Sequence, residues 1–407
     1  MITEDKKFKL AVIASHPIEY QAPLFRRLAK NPAVDIFVYF CWDFGVKETY
    51  DEGFRQMVKW DIPLLDGYNY RFLKNYSLNP SPSFWGHINP GIITELRRNK
   101  YDAVLIHGYG WFSSWLAFLG AWTTGTPIIL RGESDLQKKI SSVKKNIKRI
   151  VLPMLFANIN AFLYSYSLNK SYYKFYGVPE SKLFFMPAAV DNDFFQKEAK
   201  RFQGREEELK NQIGFRHPEW PTALLIAQLI PRKRPMDLLR ARAVISPKVN
   251  FNLIIVGDGE EAGRMKDFVK EKQLKDVYFA GFKNQSEIPL FYSISDILVL
   301  PSEFDPSPKV INEAMNFGLV IIATDKVGTA PDLVMGSESG YTYSVGDVDE
   351  LAGTLEKVIR DDRLRMKLRD NSRATIDGWS YNEDVQGVIK SLRYILENQG
   401  MGSKPPA

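Results

Sequence analysis

Cysteine is almost absent from this chain: Cys41 stands alone among 407 residues. One thiol excludes an intramolecular disulfide framework and fits a reducing compartment. Histidine is nearly as scarce. The four histidines, at positions 16, 87, 107 and 217, show no metal-ligand spacing, and neither Cys41 nor an aspartate cluster completes one, so no metal or other cofactor is expected. Long apolar runs are missing as well. The longest candidate, Ile150 to Leu163, is interrupted by Pro153, Asn158 and Asn160, and falls short of a bilayer span. The start, MITEDKKFKL, lacks the pattern of a secretory signal and leads at once into an apolar strand, which predicts a cytoplasmic protein. The net charge of +6 is modest. It favours anionic partners such as nucleotides or lipid headgroups only weakly, and no nucleic-acid partner is expected.

What is present is the composition of a folded protein with more than one core. Apolar residues make up 45% and charged residues 25% of a chain too long for a single ordinary domain. Short apolar runs alternate with helical patterns from end to end, which predicts α/β domains with parallel sheets. The first series of strands is Leu10 to Ala14, Val34 to Phe40, Ala103 to Ile106, Ile128 to Leu130 and Ala161 to Tyr164. The second is Thr222 to Ala227, Phe251 to Val256, Val277 to Ala280, Ile297 to Leu300 and Leu319 to Ala323. Between them the charged stretch QKEAKRFQGREEELKNQIG reads as a linker with a short helix. An amphipathic pattern through Val385, Val388, Ile389, Leu392, Ile395 and Leu396 predicts a final helix, and the tail GMGSKPPA reads as disordered. The expected domains are 1–195 and 205–379.

Asp305 and Glu313 flank seven residues in LPSEFDPSPKVINEAMNFGLVIIAT. The strand Ile297 to Leu300 is closed by Pro301-Ser302, and Asp305 lies in the following loop. Ser307 reads as an N-cap and Pro308 as the first helical residue. The helix then runs to Phe317, with Gly318 as its left-handed C-cap. Ligands of parallel sheets gather at the carboxyl ends of strands and anions at helix N-termini, so the N–H groups of Lys309 and Val310 could meet an anion. A solvated loop acid and a helix-surface acid are the alternative.

This segment resembles the retaining glycosyltransferases of the GT-B fold, in particular family 4, the glycosyl transferases group 1. Asp stands where that family more often has Glu, and Ser307-Pro308 replace a Phe-Gly pair. The resemblance is strongest from about residue 222 to 335. It implies two doubly wound, Rossmann-like domains facing across a cleft: an acceptor-side N-terminal domain completed by the helix at 380–398, and a C-terminal nucleotide-sugar domain. It also implies that Asp305 lies beside the sugar and that Glu313 holds the ribose. The Asp-any-Asp motif that carries manganese in the other glycosyltransferase architecture occurs only as Asp191-Asn192-Asp193, within PAAVDNDFF, which resembles the family's interdomain turn instead.

Three further segments fit the same reading. In AQLIPRKRPMDLLRAR, Arg232, Lys233 and Arg234 follow a strand and precede a helix opened by Pro235, a setting that suits a phosphate, although a solvated basic loop is the alternative. The resemblance puts Lys233 on the donor pyrophosphate and Gln228 at the position of the family arginine, so Arg232 or Arg234 is expected to supply the second charge. In FNLIIVGDGEEAGRMKDFVKE, Gly257 and Gly259 make a turn that either approaches a ligand or is simply tight. The resemblance places that turn and Phe282 around the base and phosphates. In the N-terminal half, His107 falls where the family often touches the donor sugar. His16 and Glu19 fall on a loop facing the cleft, with a capping histidine as the alternative. Arg131 and Glu133 either face that cleft too or form a plain salt bridge. The stretch 138–149 interleaves six cations with Ile140, Val143 and Ile147, and could lie on an anionic membrane at its inner face or be a solvated helix face.

The combined expectation is a metal-independent, retaining transferase that uses a UDP- or GDP-linked sugar and a glycan or lipid-linked acceptor, in the synthesis of surface polysaccharide or glycoconjugates. Lys233, its arginine neighbours and the Lys309 helix start would stabilise the departing diphosphate, while His107 and Asp305 position the sugar. A nucleotide-sugar epimerase of the same fold and a non-catalytic nucleotide-sugar-binding protein are the alternatives.

Overall fold

Strands that read as unbroken apolar runs do so because helices cover both faces of a parallel sheet, leaving no solvent side to mark with polar residues. The structure, a computed structural model, describes residues 7–46, 48–51, 55–245 and 249–401. Tail residues 402–407 lie outside the described residues. The chain forms two compact units, one of Met1–Thr49, Pro63–Ala188 and Tyr381–Ala407, the other of Tyr50–Ile62 and Ala189–Ser380.

The strands are β1 Phe8–Ala14, β2 Val34–Phe40, β3 Thr49–Asp51, β4 Gln56–Val58, β5 Asn69–Phe72, β6 Ala103–His107, β7 Ile128–Arg131, β8 Ala161–Tyr164 and β9 Leu183–Phe185. They continue as β10 Thr222–Ile226, β11 Asn252–Val256, β12 Val277–Gly281, β13 Ile297–Leu300, β14 Val320–Thr324 and β15 Gly340–Tyr343. The first unit holds a parallel sheet in the order β5-β2-β1-β6-β7-β8-β9. Its strand order reverses between β1 and β6. The second holds a parallel sheet in the order β12-β11-β10-β13-β14-β15, reversing between β10 and β13. In such sheets the loops after the two central strands diverge and leave a crevice for ligands. This is the doubly wound, Rossmann-like arrangement expected for both halves.

In each unit the core lies between sheet and helices. Ile106, Leu130 and Phe162 pack with Phe118 and Phe156 in the first, and Leu225, Leu253 and Val299 with Leu239 and Leu355 in the second. The Tyr381–Met401 helix lies on β8, β9 and the Ala22–Lys30 helix. Its Val388 and Leu392 are buried as the apolar pattern predicts. A Cβ at Gly387 would sit 2.2 Å from the Phe185 carbonyl oxygen, so only glycine permits this crossing. The charged stretch, expected as a linker with one short helix, holds the end of one helix, Asn192–Phe202, and the whole of a second, Glu206–Ile213. Among the described residues no helix is long and apolar enough to cross a membrane.

Candidate active site

At the switch point of the second sheet, the loops after β10 and β13 are stitched together. The Glu303 N–H donates to the Arg232 carbonyl at 2.9 Å, and the Arg232 guanidinium donates to the Phe304 carbonyl at 2.9 Å. Beside these bonds the Lys233 ammonium pairs with Asp305 Oδ2. Two residues 72 positions apart thus meet at the carboxyl end of the sheet, with side chains 17% and 11% exposed. The Asp305 loop is anchored from its other side: Asp305 N–H donates to the Lys326 carbonyl, Gly328 N–H to the Asp305 carbonyl, and Thr324 Oγ1 to the Ser302 carbonyl.

The glycine turn explains how the Lys233 loop is held. Gly257 and Gly259 have φ of +131° and +151°, and a Cβ on either would strike the Ala227 or Leu229 carbonyl oxygen, at 1.9 and 2.6 Å. Their backbone lies against the 227–229 segment, where Leu229 N–H donates to the Asp258 carbonyl and Glu261 N–H to the Leu229 carbonyl. The tight-turn requirement alone accounts for both glycines. Gln228 and Phe282 are partly buried in adjoining loops.

The three cations of the basic loop part company. Arg234 takes a left-handed conformation, φ +48°, and its guanidinium bonds the buried Asp237 at 2.6 Å, as Arg240 does at 3.1 Å. Of the two arginines expected to supply a second charge, Arg232 is the one that lies along the Asp305 loop.

The following helix begins at Lys309, one residue later than expected, and Pro308, with ψ 117°, occupies the cap position. Ser307 does not cap it. A residue before proline is held extended, and the Ser307 hydroxyl accepts from the Lys309 ammonium at 3.1 Å. At the far end the Gly318 N–H donates to the Met315 carbonyl and Leu319 N–H to that of Ala314, with Gly318 at φ +70°, a Schellman closure. Glu313 is buried, accepting from the Tyr292 hydroxyl at 2.6 Å and from Gln285 Nε2 at 3.4 Å. It is not the helix-surface acid of the alternative reading. Val310 is partly buried in the first turn.

In the first unit, the loop after β1 brings Gln21 onto His107, the last residue of β6, with Gln21 Nε2 donating to His107 Nδ1 at 3.2 Å. That bond leaves the ring proton of a neutral imidazole on Nε2, which is buried and has no partner among the described residues. Burial first, then the Arg131 charge, lowers the His107 pKa to about 3. Arg131 and Glu133 form the salt bridge at 3.1 Å, and the Arg131 Nε is buried without a partner among the described residues. His16 belongs to a separate aromatic group. Its ring lies 5.3 Å from Phe44 and 6.1 Å from Trp42, its Nδ1 is 3.0 Å from Ser15 Oγ, and burial, then His87, lowers its pKa to about 4. His87 is buried against Trp111 at 4.6 Å. Glu19 is partly buried in the same loop as His16.

Residues 206–375 match the family model described as glycosyl transferases group 1. This segment is a glycosyl transferases group 1 domain. Among curated relatives, N-acetyl-alpha-D-glucosaminyl L-malate synthase of Bacillus anthracis is 27% identical over 188 residues, 46% of this chain and 48% of that one. The chain thus matches about half the length of that relative. Among solved structures, a glycosyltransferase from Rickettsia africae superposes with a TM-score of 0.75 at 17% identity, covering 96% of this chain and 99% of that one. Anabaena HepE in complex with UDP gives 0.72 at 17% identity, covering 95% and 99%. The fold is GT-B.

The group 1 domain contains the Lys233–Asp305 pair, both glycines and Glu313, so the strongest sequence signals lie inside the matched segment. The Asp191-Asn192-Asp193 triplet has structural partners. Asp191 caps its helix by accepting from the Phe194 N–H at 3.4 Å, and the buried Asn192 amide donates to the Ile376 carbonyl at 3.0 Å. Among the described residues no three of His, Cys, Asp and Glu gather as a metal site. Sequence reading missed Gln21, Gln285 and Tyr292. Each is far along the chain from its partner, and no local spacing could have flagged them.

Proposed function

We propose that the protein is a retaining glycosyltransferase that moves a sugar from a nucleotide-diphosphate sugar, UDP- or GDP-linked, to a hydroxyl of a glycan or lipid-linked acceptor. The observation that carries this reading is the Lys233–Asp305 pair at the switch point of the group 1 domain. A nearly buried lysine there is a point charge already desolvated for a phosphate. The UDP bound to HepE supports a uridine nucleotide as the first donor to try.

Transfer breaks the bond between the anomeric carbon and the phosphate oxygen and forms one from that carbon to the acceptor oxygen. Charge builds on the departing diphosphate and on an oxocarbenium-like sugar. Lys233 turns from Asp305 to the diphosphate, and Arg232 adds a second cation along the same loop. The N–H groups of Lys309 and Val310 contribute the helix dipole. Asp305, released, stands beside the sugar. Attack comes from the leaving-group side, and the acceptor's proton passes to a phosphate oxygen of the donor. The products are a glycoside of retained configuration and a nucleoside diphosphate, with the cations doing the work a metal would otherwise do. Glu313, with one bond on each oxygen from Tyr292 and Gln285, keeps acceptor capacity for a ribose hydroxyl. In the first unit, the His107 Nε2–H is a neutral donor suited to a sugar hydroxyl.

The test is turnover of UDP- and GDP-sugars with glycan and lipid-linked acceptors, with the anomeric configuration of the product read by NMR. Lys233→Ala and Asp305→Ala should abolish transfer while keeping the fold. An inverted product, or both variants turning over like wild type, sinks the proposal.

A further inference from the structure

The second unit takes in a short piece of chain from far outside its main span, Tyr50–Ile62, whose β3 and β4 form a two-stranded sheet of their own. The stretch after β4 is fastened to the loop that follows β12. The Lys59 carbonyl accepts from Asn284 Nδ2 at 2.8 Å, and the Asp61 carboxylate accepts from the Ser286 hydroxyl and from the Ser286 N–H, the latter at 3.3 Å. Each contact spans 225 positions of the chain.

Between Asn284 and Ser286 lies Gln285, which turns the other way. It is 6% exposed and its Nε2 donates to Glu313 Oε1 at 3.4 Å, while Ser286 is exposed. The loop holds its own shape: Gln285 N–H donates to Asn284 Oδ1 at 2.9 Å, Glu287 N–H to the Asn284 carbonyl at 2.9 Å, and Asn284 N–H to the Glu287 carboxylate at 3.0 Å. These local bonds set no distance to Glu313. That distance matters, because 3.4 Å is at the long limit of a hydrogen bond and a small outward shift of the loop would break it. The Tyr292 hydroxyl holds Glu313 Oε2, so the bond from Gln285 to Oε1 fixes the plane of the carboxylate.

We propose that Asp61 is a positioning residue for ribose recognition: through Ser286, and together with the Lys59 carbonyl on Asn284, it seats Gln285 against Glu313 and so aims the carboxylate. The inference rests on the reading that Glu313 holds the ribose. It adds to that reading a part of the nucleotide site that lies outside the group 1 segment, residues 206–375. A contact that merely braced the fold would act otherwise. Its loss would weaken nucleotides with and without ribose hydroxyls alike.

The experiment is isothermal titration calorimetry of the full chain with UDP and GDP, each against its 2′,3′-dideoxy form, and the readout is the ratio of the two affinities. Wild type should prefer the ribonucleotide by about ten- to a hundredfold, the worth of hydroxyls donating to a carboxylate, and Glu313→Gln should lower that preference. Asp61→Ala and Ser286→Ala, made at exposed positions, should melt like wild type and each lower the ratio roughly three- to tenfold. The double variant should be no lower than either alone, and Asp61→Asn, which keeps an acceptor oxygen, should stay near wild type. A ratio that Asp61→Ala and Ser286→Ala leave unchanged while Glu313→Gln lowers it overturns the inference and leaves the ribose reading standing. Equal weakening of both nucleotide forms does the same. A wild type without the preference, or a preference that Glu313→Gln does not change, overturns the ribose reading and the inference with it.

Discussion

If Lys233 is the diphosphate ligand, binding must first detach it from Asp305, and removing the acid should strengthen nucleotide binding even as it stops transfer. The side chains are 17% and 11% exposed, between the surface pairs worth little and the buried pairs that are costly to break. A value of about 1–2 kcal/mol for the contact follows. Asp305→Ala releases that cost and also removes a negative charge from the diphosphate's surroundings. Affinity for UDP or GDP should rise roughly five- to thirtyfold. Lys233→Ala loses a charge-assisted bond, worth about 1.5–3 kcal/mol, and should weaken binding by about ten- to a hundredfold. Isothermal titration calorimetry of both variants and the double variant reads the two effects separately. The double variant should bind a little more tightly than Lys233→Ala, because with no lysine to hold back only the removal of the negative charge is left to act. Weaker nucleotide binding by Asp305→Ala than by wild type would refute the reasoning: the acid would be helping to hold the ligand, and the pair would not be a lock.

Other expectations concern the framework. Gly257→Ala puts a methyl 1.9 Å from the Ala227 carbonyl oxygen at φ +131°, and should cost about 3 kcal/mol or more in urea unfolding, with nucleotide binding lost alongside; an unchanged midpoint would mean the turn relaxes. Glu313→Gln keeps the shape but not the charge that accepts from Tyr292 at 2.6 Å, and should cost about 1–2 kcal/mol of stability before any ligand is added. The His107 pKa is lowered to about 3, below the unfolded value of about 6.5. Its neutral form is favoured by folding, so its stabilisation is complete above the unfolded pKa and declines as pH falls towards the folded one. From pH 7.5 to 5.5 the loss is about 1.4 kcal/mol from this residue. His107→Gln should show that much less acid destabilisation in paired urea titrations, and an equal loss would show that the imidazole is protonated in the fold.

The central strands were legible because burial on both faces writes them as apolar runs with nothing else to imitate. Those missed lie at margins. β5, NYRF, is mostly exposed on the sheet edge, β9 has three residues, and β15, GYTY, mixes glycine and threonine with its tyrosines. Edge strands need only one paired side and carry little pattern. At the acid loop the helix starts one residue later than the Ser-Pro pair predicts, because the restriction that proline imposes on its predecessor overrides the capping preference of Ser307. The basic triplet was visible as charge, but which arginine turns to Asp237 depends on the left-handed Arg234, which no propensity signals. Glu313 drew notice from its spacing to Asp305. Its enclosure by Tyr292 and Gln285 is a matter of packing that spacing cannot carry.

The placement of the Tyr381–Met401 helix in the first unit, against β8 and β9, sets an order of assembly on the ribosome. Sheet β5-β2-β1-β6-β7-β8-β9 is translated early, yet the part of it over β8 and β9 waits for the last helix, which emerges some two hundred residues after β9. All strands of the second sheet have left the ribosome by then. The unit whose synthesis begins first is therefore completed last, and in the interval the exposed β8–β9 end of its sheet is a surface of the nascent chain in need of a chaperone.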